Sequence, residues 1–149
     1  MYVGGNNMKI DKYDYPEDLY YTDHHFWVRD EGEILTLGIT DYAQQLAGEF
    51  IYIELPDEDS NVKKGKPFAS IESGKWVGRI YGPVNGVITE VNEELEDDAT
   101  IMNKSPYEDG WICKIKPENK EELNELFKAS DEKFQAWVKE EIAKNVPKE

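Results

Sequence analysis

Lys75 is the residue best placed to do chemistry, because the stretch Ile71–Asn92 (IESGKWVGRIYGPVNGVITEVN) presents it between two strand-like runs. Phe68 and Ile71 before it, and Val77 and Ile80 after it, bracket the turn Ser73-Gly74-Lys75-Trp76. Val87, Ile88 and Val91 follow a second turn, Gly82-Pro83-Val84-Asn85-Gly86. Turn residues between β-branched runs predict hairpins. Lys75 is therefore expected at a hairpin tip, its amine in water and open to an enzyme that grips the local fold before acylating it. A hairpin lysine is ordinarily a solubilising side chain, and the turn alone leaves both readings open.

Other candidate chemistry is thin. The two histidines, His24 and His25, are adjacent in a run, His24–Val28, that reads as a strand. Successive strand residues point to opposite faces, so the pair is not expected to share a metal. No Ser-His-Asp set, phosphate-binding glycine loop or paired catalytic carboxylate stands out, and Gly82–Gly86 reads as turn chemistry. The one cysteine, Cys113, lies in Trp111-Ile-Cys-Lys-Ile115 and reads as a packed core thiol. A chain of this kind is expected to be no enzyme in its own right.

The elements that must position Lys75 follow from pattern. Residues 1–13 are polar, with Gly4-Gly5-Asn6-Asn7, and read as a flexible segment; Asp14–Asp23 reads as an extended lead-in packed over the domain. Ile34–Leu37 forms a second strand after the turn Asp30-Glu31-Gly32. Thr40 caps a short helix, Asp41–Ala47, and Gly48 ends it. Glu49–Leu55 alternates as a strand, with Phe50, Tyr52 and Glu54 against Ile51, Ile53 and Leu55. Gly48–Glu54 and Gly86–Asn92 echo one another: each begins with Gly, runs as a strand and ends in an acidic loop.

After Lys116 the period becomes helical. Asn119 and Glu122 suggest a capping box for a helix burying Leu123, Leu126 and Phe127. Ser130 is placed to cap a second helix, with Phe134, Trp137, Val138 and Ile142 on one face and Pro147 at its end. Residues 14–117 thus read as one domain, and 118–146 as helices of the same domain.

At 149 residues the chain fits a single core. Its 32 acidic and 17 basic residues give a formal charge of −15, which repels nucleic acid and anionic membranes and fits either docking on basic patches of partner proteins or simple self-repulsion that keeps copies apart. One cysteine forms no internal disulfide, no apolar run reaches a membrane span and no signal pattern opens the chain. The cytoplasm is the expected compartment.

Glu72-Ser73-Gly74-Lys75, Pro83-Val84-Asn85-Gly86, Gly38–Gln44 (GITDYAQ), Ile53-Glu54-Leu55-Pro56 and Asn103–Lys116 (NKSPYEDGWICKIK) occur in one order over roughly Tyr20 to Lys144. In this order they resemble the lipoyl carriers of the glycine cleavage system H protein family. The resemblance implies a mainly β fold, a flattened β-barrel or sandwich of the lipoyl and biotinyl hammerhead type, with C-terminal α-helices packed against it. It implies covalent lipoate on Lys75, with Glu72, Ser73, Gly74 and Trp76 forming the turn that a lipoate-attaching enzyme reads.

The cargo is where the chain departs from the family. Members of the standard pattern carry Ser-His-Glu-Trp and Lys-Ala-x-Ser-Asp, whose serine and carboxylates cradle a cationic aminomethyl group. Here His24, Phe26 and Arg79 stand at those positions. At about 4 Å and an effective dielectric near 20, a unit-charge contact is worth roughly 4 kcal/mol before screening, so Arg79 disfavours a cation beside it. A cargo pocket of His24, Phe26 and Arg79 suits a neutral or anionic group, with Trp76 and Phe26 as an apolar shelf. The Gly-Lys-Trp variant resembles the lipoate-binding proteins of heterodisulfide-reductase-like sulfur oxidation, which implies a sulfur cargo and two partners, that complex and a flavin-dependent dihydrolipoyl dehydrogenase. The alternative is aminomethyl transfer between glycine decarboxylase and aminomethyltransferase. Two further readings stay open: an octanoyl or lipoyl relay in protein lipoylation, and an unmodified adaptor using the acidic face and tail helices.

Overall fold

The computed structural model describes residues 7–145. A hairpin of β1 (Asn7–Ile10) and β2 (Tyr13–Pro16) comes first, then β3 (Tyr20–Tyr21), β4 (Phe26–Asp30) and β5 (Leu35–Ile39). Helix α1 (Asp41–Ala47) leads into β6 (Phe50–Glu54), β7 (Asn61–Val62), β8 (Pro67–Ser73), β9 (Val77–Tyr81) and β10 (Gly86–Val91). Two one-turn helices, α2 (Glu94–Asp97) and α3 (Ile101–Lys104), precede β11 (Cys113–Pro117). A 3-10 helix (Lys120–Glu125), β12 (Phe127–Lys128) and α4 (Glu132–Asn145) complete the order.

The strands form a seven-stranded sheet, β12-β3-β4-β5-β11-β10-β7, a three-stranded sheet, β6-β8-β9, and the two-stranded β1-β2 hairpin. The fold is mainly β, as the sequence predicts, but the sheets stay open and do not close into a barrel. Phe26, Val28, Leu35, Leu37 and Ile39 of the large sheet share one core with Phe50, Ile53, Ile71 and Ile80 of the small one. Burial of each such side chain is worth about 1.5–3 kcal/mol. Cys113 belongs to this core, and burial pushes its thiol up and keeps it protonated.

A second core lies on the other side of β4. Trp27 points there, seated on Gly38 of β5, where a Cβ would overlap the indole. Around it gather Tyr13, Tyr15, Tyr21, Tyr42, Phe134 and Val138, so α4 packs on an aromatic cluster built with the N-terminal strands. With a core on each face, every residue of β5 is buried.

Several expectations are corrected. Residues 7–10 form a paired strand with Ile10 buried, so order begins well before Asp14; Gly4-Gly5-Asn6 lie outside the described residues. The strand read from His24 begins at Phe26, because Thr22 Oγ1 accepts from both His24 N (3.2 Å) and Phe26 N (3.3 Å) and folds the histidines into a turn, with His25 at φ +68°. The alternation of Glu49–Leu55 is broken by a bulge between Phe50 and Tyr52, which leaves Ile51 and Tyr52 both exposed. Among the described residues only one full α-helix forms near the C-terminus. Asn119 caps a 3-10 turn, and Glu122 does not reach back to it but accepts from the backbone N–H and side-chain amide of Asn85, both at 3.0 Å. Pro147 lies outside the described residues.

Helix α1 matches the pattern residue for residue. Thr40 Oγ1 accepts from Ala43 N at 3.2 Å, and Gly48 closes the helix at φ +82°. The two echoed segments, β6 and β10, lie in different sheets, yet each is bulged between the second and fourth residues after its glycine. No helix among the described residues is long and apolar enough to cross a membrane.

Candidate functional site

Lys75 stands where the sequence places it, in the three-residue loop Gly74-Lys75-Trp76 that joins β8 to β9. The loop is closed by Ser73 N donating to Trp76 O at 2.8 Å. Ser73 is buried, and its hydroxyl donates to Ala47 O at 2.6 Å, which ties the hairpin to the end of α1. The same Oγ lies 3.4 Å from Lys75 N, which donates to it.

Gly48 supplies the floor. A Cβ on Gly48 would stand 3.3 Å from Lys75 Cε and 3.9 Å from its Nζ, so the missing side chain leaves a cradle along which the lysine stem lies. At φ +82° the backbone there also disfavours any L side chain. Asn103 holds this floor: its Nδ2 donates to Gly48 O at 2.8 Å and to Gln44 Oε1 at 3.1 Å, while its Oδ1 accepts from Phe50 N at 2.9 Å. From sequence Gly48 has a role only as the end of α1, and Asn103 has none at this site. Asn103 opens the NKSPYEDGW motif and Gly48 opens the echoed segment, and those were the available signals.

Each remaining site residue has a definite place. Glu72 lies on β8 directly between Tyr52 on β6 and Val77 on β9, a cross-strand row of carboxylate flanked by two exposed apolar side chains. Gly74 takes no left-handed conformation, and a Cβ there would meet nothing. Trp76 folds back along β9 onto Gly78, where a Cβ would overlap its ring, and stays 41% exposed.

The cargo pocket read from His24, Phe26 and Arg79 is not assembled as such. Phe26 is 2% exposed and belongs to the core between the sheets, so it forms no shelf with Trp76. Its alternation with Trp27, which the second core claims, dictates that direction. His24 stacks on Tyr81 at the end of β9, with ring centroids 4.0 Å apart, and its Nδ1 lies 2.9 Å from Asp23 Oδ1. Arg79 is exposed two residues earlier on β9, opposite Ser70, in a groove of about 470 Å³ that Glu54 and Phe68 also line.

Two packed sheets anchor a three-residue loop from beneath and present one lysine on it, an arrangement suited to covalent attachment. The family model for Glycine cleavage H-protein matches residues 19–141. A Glycine cleavage system H protein of Staphylococcus carnosus is 42% identical over 118 residues, 79% of this chain and 94% of that one. One of Anaeromyxobacter dehalogenans is 42% identical over 126 residues, 85% of this chain and 97% of that one. Among solved structures, a glycine cleavage system H protein from Mycobacterium marinum superposes with TM-score 0.74 at 28% identity, covering 84% of this chain and 98% of that one. The chain belongs to the glycine cleavage H-protein family. It is a non-catalytic carrier of that family, whose members hold lipoate covalently on a lysine.

Proposed function

We propose that Lys75 is the lipoyl-bearing residue and that the protein carries the aminomethyl group of glycine cleavage between enzymes. The observation behind this reading is the isolation of Lys75 on an anchored tip, its stem cradled over Gly48 and its amine at the protein surface. When bound, the lipoyl group supplies a dithiolane that accepts the transferred group and is then reoxidised. The chain's own part is to hold the loop rigid through Ser73 and Ala47, to offer Glu72 and the loop backbone to the attaching enzyme, and to keep the arm next to each docked active site. Tethering raises the effective concentration of the carried group wherever the domain docks.

The partners on this reading are a lipoate-attaching enzyme, glycine decarboxylase, aminomethyltransferase and a flavin-dependent dihydrolipoyl dehydrogenase, and the compartment is the cytoplasm. The expectation of a sulfur cargo and a heterodisulfide-reductase-like partner gains no support. The relatives above carry the glycine cleavage name, and the pocket argument loses Phe26 to the core.

The test is exchange of labelled carbon dioxide into glycine with the source organism's decarboxylase. Protein confirmed as lipoylated at Lys75 by peptide mass is expected to support exchange, and Lys75→Arg to abolish it. No exchange, while a standard H protein works in the same tube, would overturn the aminomethyl assignment.

A further inference from the structure

The five large hydrophobic side chains exposed among the described residues are Leu46, Ile51, Tyr52, Trp76 and Val77; Trp76 lies in the loop that carries Lys75, Val77 follows it, and Tyr52 and Val77 flank Glu72 on the neighbouring strands. Trp76 differs from the other four in how it is held. Its indole rests on the backbone of β9 at Gly78, where a Cβ would overlap the ring, and the residue as a whole stays 41% exposed. A flat aromatic face, fixed in direction and unoccupied on its outer side, is a preorganised surface that costs little entropy to use.

We propose that the Trp76 indole, seated on Gly78, is the resting surface of the lipoyl arm on Lys75, an inference that rests on Lys75 being the attachment lysine. Lys75 and Trp76 are consecutive and joined by a trans peptide, so their Cα atoms are about 3.8 Å apart. An eight-carbon acyl chain on the lysine amine spans several times that distance. As a free cation the lysine lies over Gly48; once amidated it has no charge, and its chain and sulfurs gain most from apolar and aromatic surface. The groove at Arg79 mixes apolar Phe68 and Val77 with two charged groups, Arg79 and Glu54, whose desolvation opposes an apolar arm there. Because the arm is tethered, a weak contact suffices to bias where it rests, and docking to a partner releases it.

The experiment is tryptophan emission of the lipoylated full chain, oxidised and then reduced, with attachment verified by peptide mass. A dithiolane in contact with an indole quenches it, and the opened dithiol quenches less. Of the four tryptophans, Trp27 is fully buried, and only Trp76 adjoins the arm in sequence. The wild type is expected to brighten on reduction, Trp76→Phe to lose that change, and Gly78→Val, which lifts the indole off the strand, to diminish it. A lipoylated wild type with no redox-dependent change, or a Trp76→Phe variant that keeps it, would overturn the inference alone. A peptide mass without lipoate on Lys75 in native protein would overturn the carrier reading and this inference together.

Discussion

At the scale of single residues, two glycines beside Lys75, Gly74 and Gly48, have opposite meanings, and the sequence connects only the first of them to the lysine. Gly74 sits in the motif and reads as the turn glycine, yet its backbone is ordinary and its Cβ position empty. Gly48 lies 27 positions from Lys75, too far for any local pattern to connect them, and carries both the positive φ and the lysine stem. Gly74→Ala is therefore expected to change stability by less than about 0.5 kcal/mol. Gly48→Ala should cost roughly 1–3 kcal/mol through backbone strain and also crowd Lys75. Urea unfolding of the two variants measures the first contrast, and the rate of enzymatic lipoylation the second. Ser73→Ala belongs with Gly48: deleting the hydroxyl leaves Ala47 O without its donor in a buried place, at a cost of about 1–3 kcal/mol. Equal stability for Ser73→Ala and wild type would mean that the loop is not anchored through α1.

At the scale of elements, what was legible depended on whether local signals acted alone. Helix α1 was read to the residue because its end signals, the Thr40 cap and the Gly48 stop, lie in its own sequence. The segment after Lys116 was misread because Glu122 is taken by Asn85, 37 positions away, and the chain tightens to a 3-10 turn. The histidines were misplaced for a similar reason. Thr22 organises their turn, and His25 Nε2 lies 3.1 Å from Glu141 Oε1 on α4, with its ring stacked on Trp137 at 4.7 Å and near Tyr42 at 5.0 Å. Burial, the largest influence, lowers the His25 pKa; Glu141 and the more distant Asp23 pull it up, and His24 adds to the lowering. The unfolded chain therefore binds a proton that the folded chain resists. The stability this contributes is full above the ordinary histidine pKa of about 6.5 and is lost as pH falls through it toward the lower folded value. Unfolding free energies at pH 7.5 and 5.5 should show a larger acid loss in wild type than in His25→Asn, which tolerates the positive φ. Parallel pH curves for the two proteins would rule out His25 as the group that couples α4 to pH.

At the scale of the whole molecule, composition gave the sign of the surface, strand patterning and the family resemblance gave the mainly β character, and closure of the sheets lay beyond all three. Strand count and spacing do not say whether β6-β8-β9 will join the larger sheet; that depends on register and bulges, which arise only from the pairing of distant strands. The charge has a direct physical consequence. With 32 acidic against 17 basic residues, the folded chain concentrates carboxylates that the unfolded chain spreads apart, and this repulsion opposes folding. Raising sodium chloride from 10 to 150 mM shortens the screening length from about 30 Å to about 8 Å. If repulsion outweighs weak surface pairs such as Lys9–Asp14 and Lys64–Glu125, the added salt stabilises the fold. A gain of about 1 kcal/mol corresponds to a Tm higher by a few degrees, read by calorimetry. Docking of this acidic surface onto a basic partner has the opposite sign, because the same ions screen the attraction. Salt is thus expected to raise Tm and, on the proposed function, to weaken association with glycine decarboxylase, measured by titration over the same range. A Tm that falls with salt would show that the ion pairs outweigh the net charge.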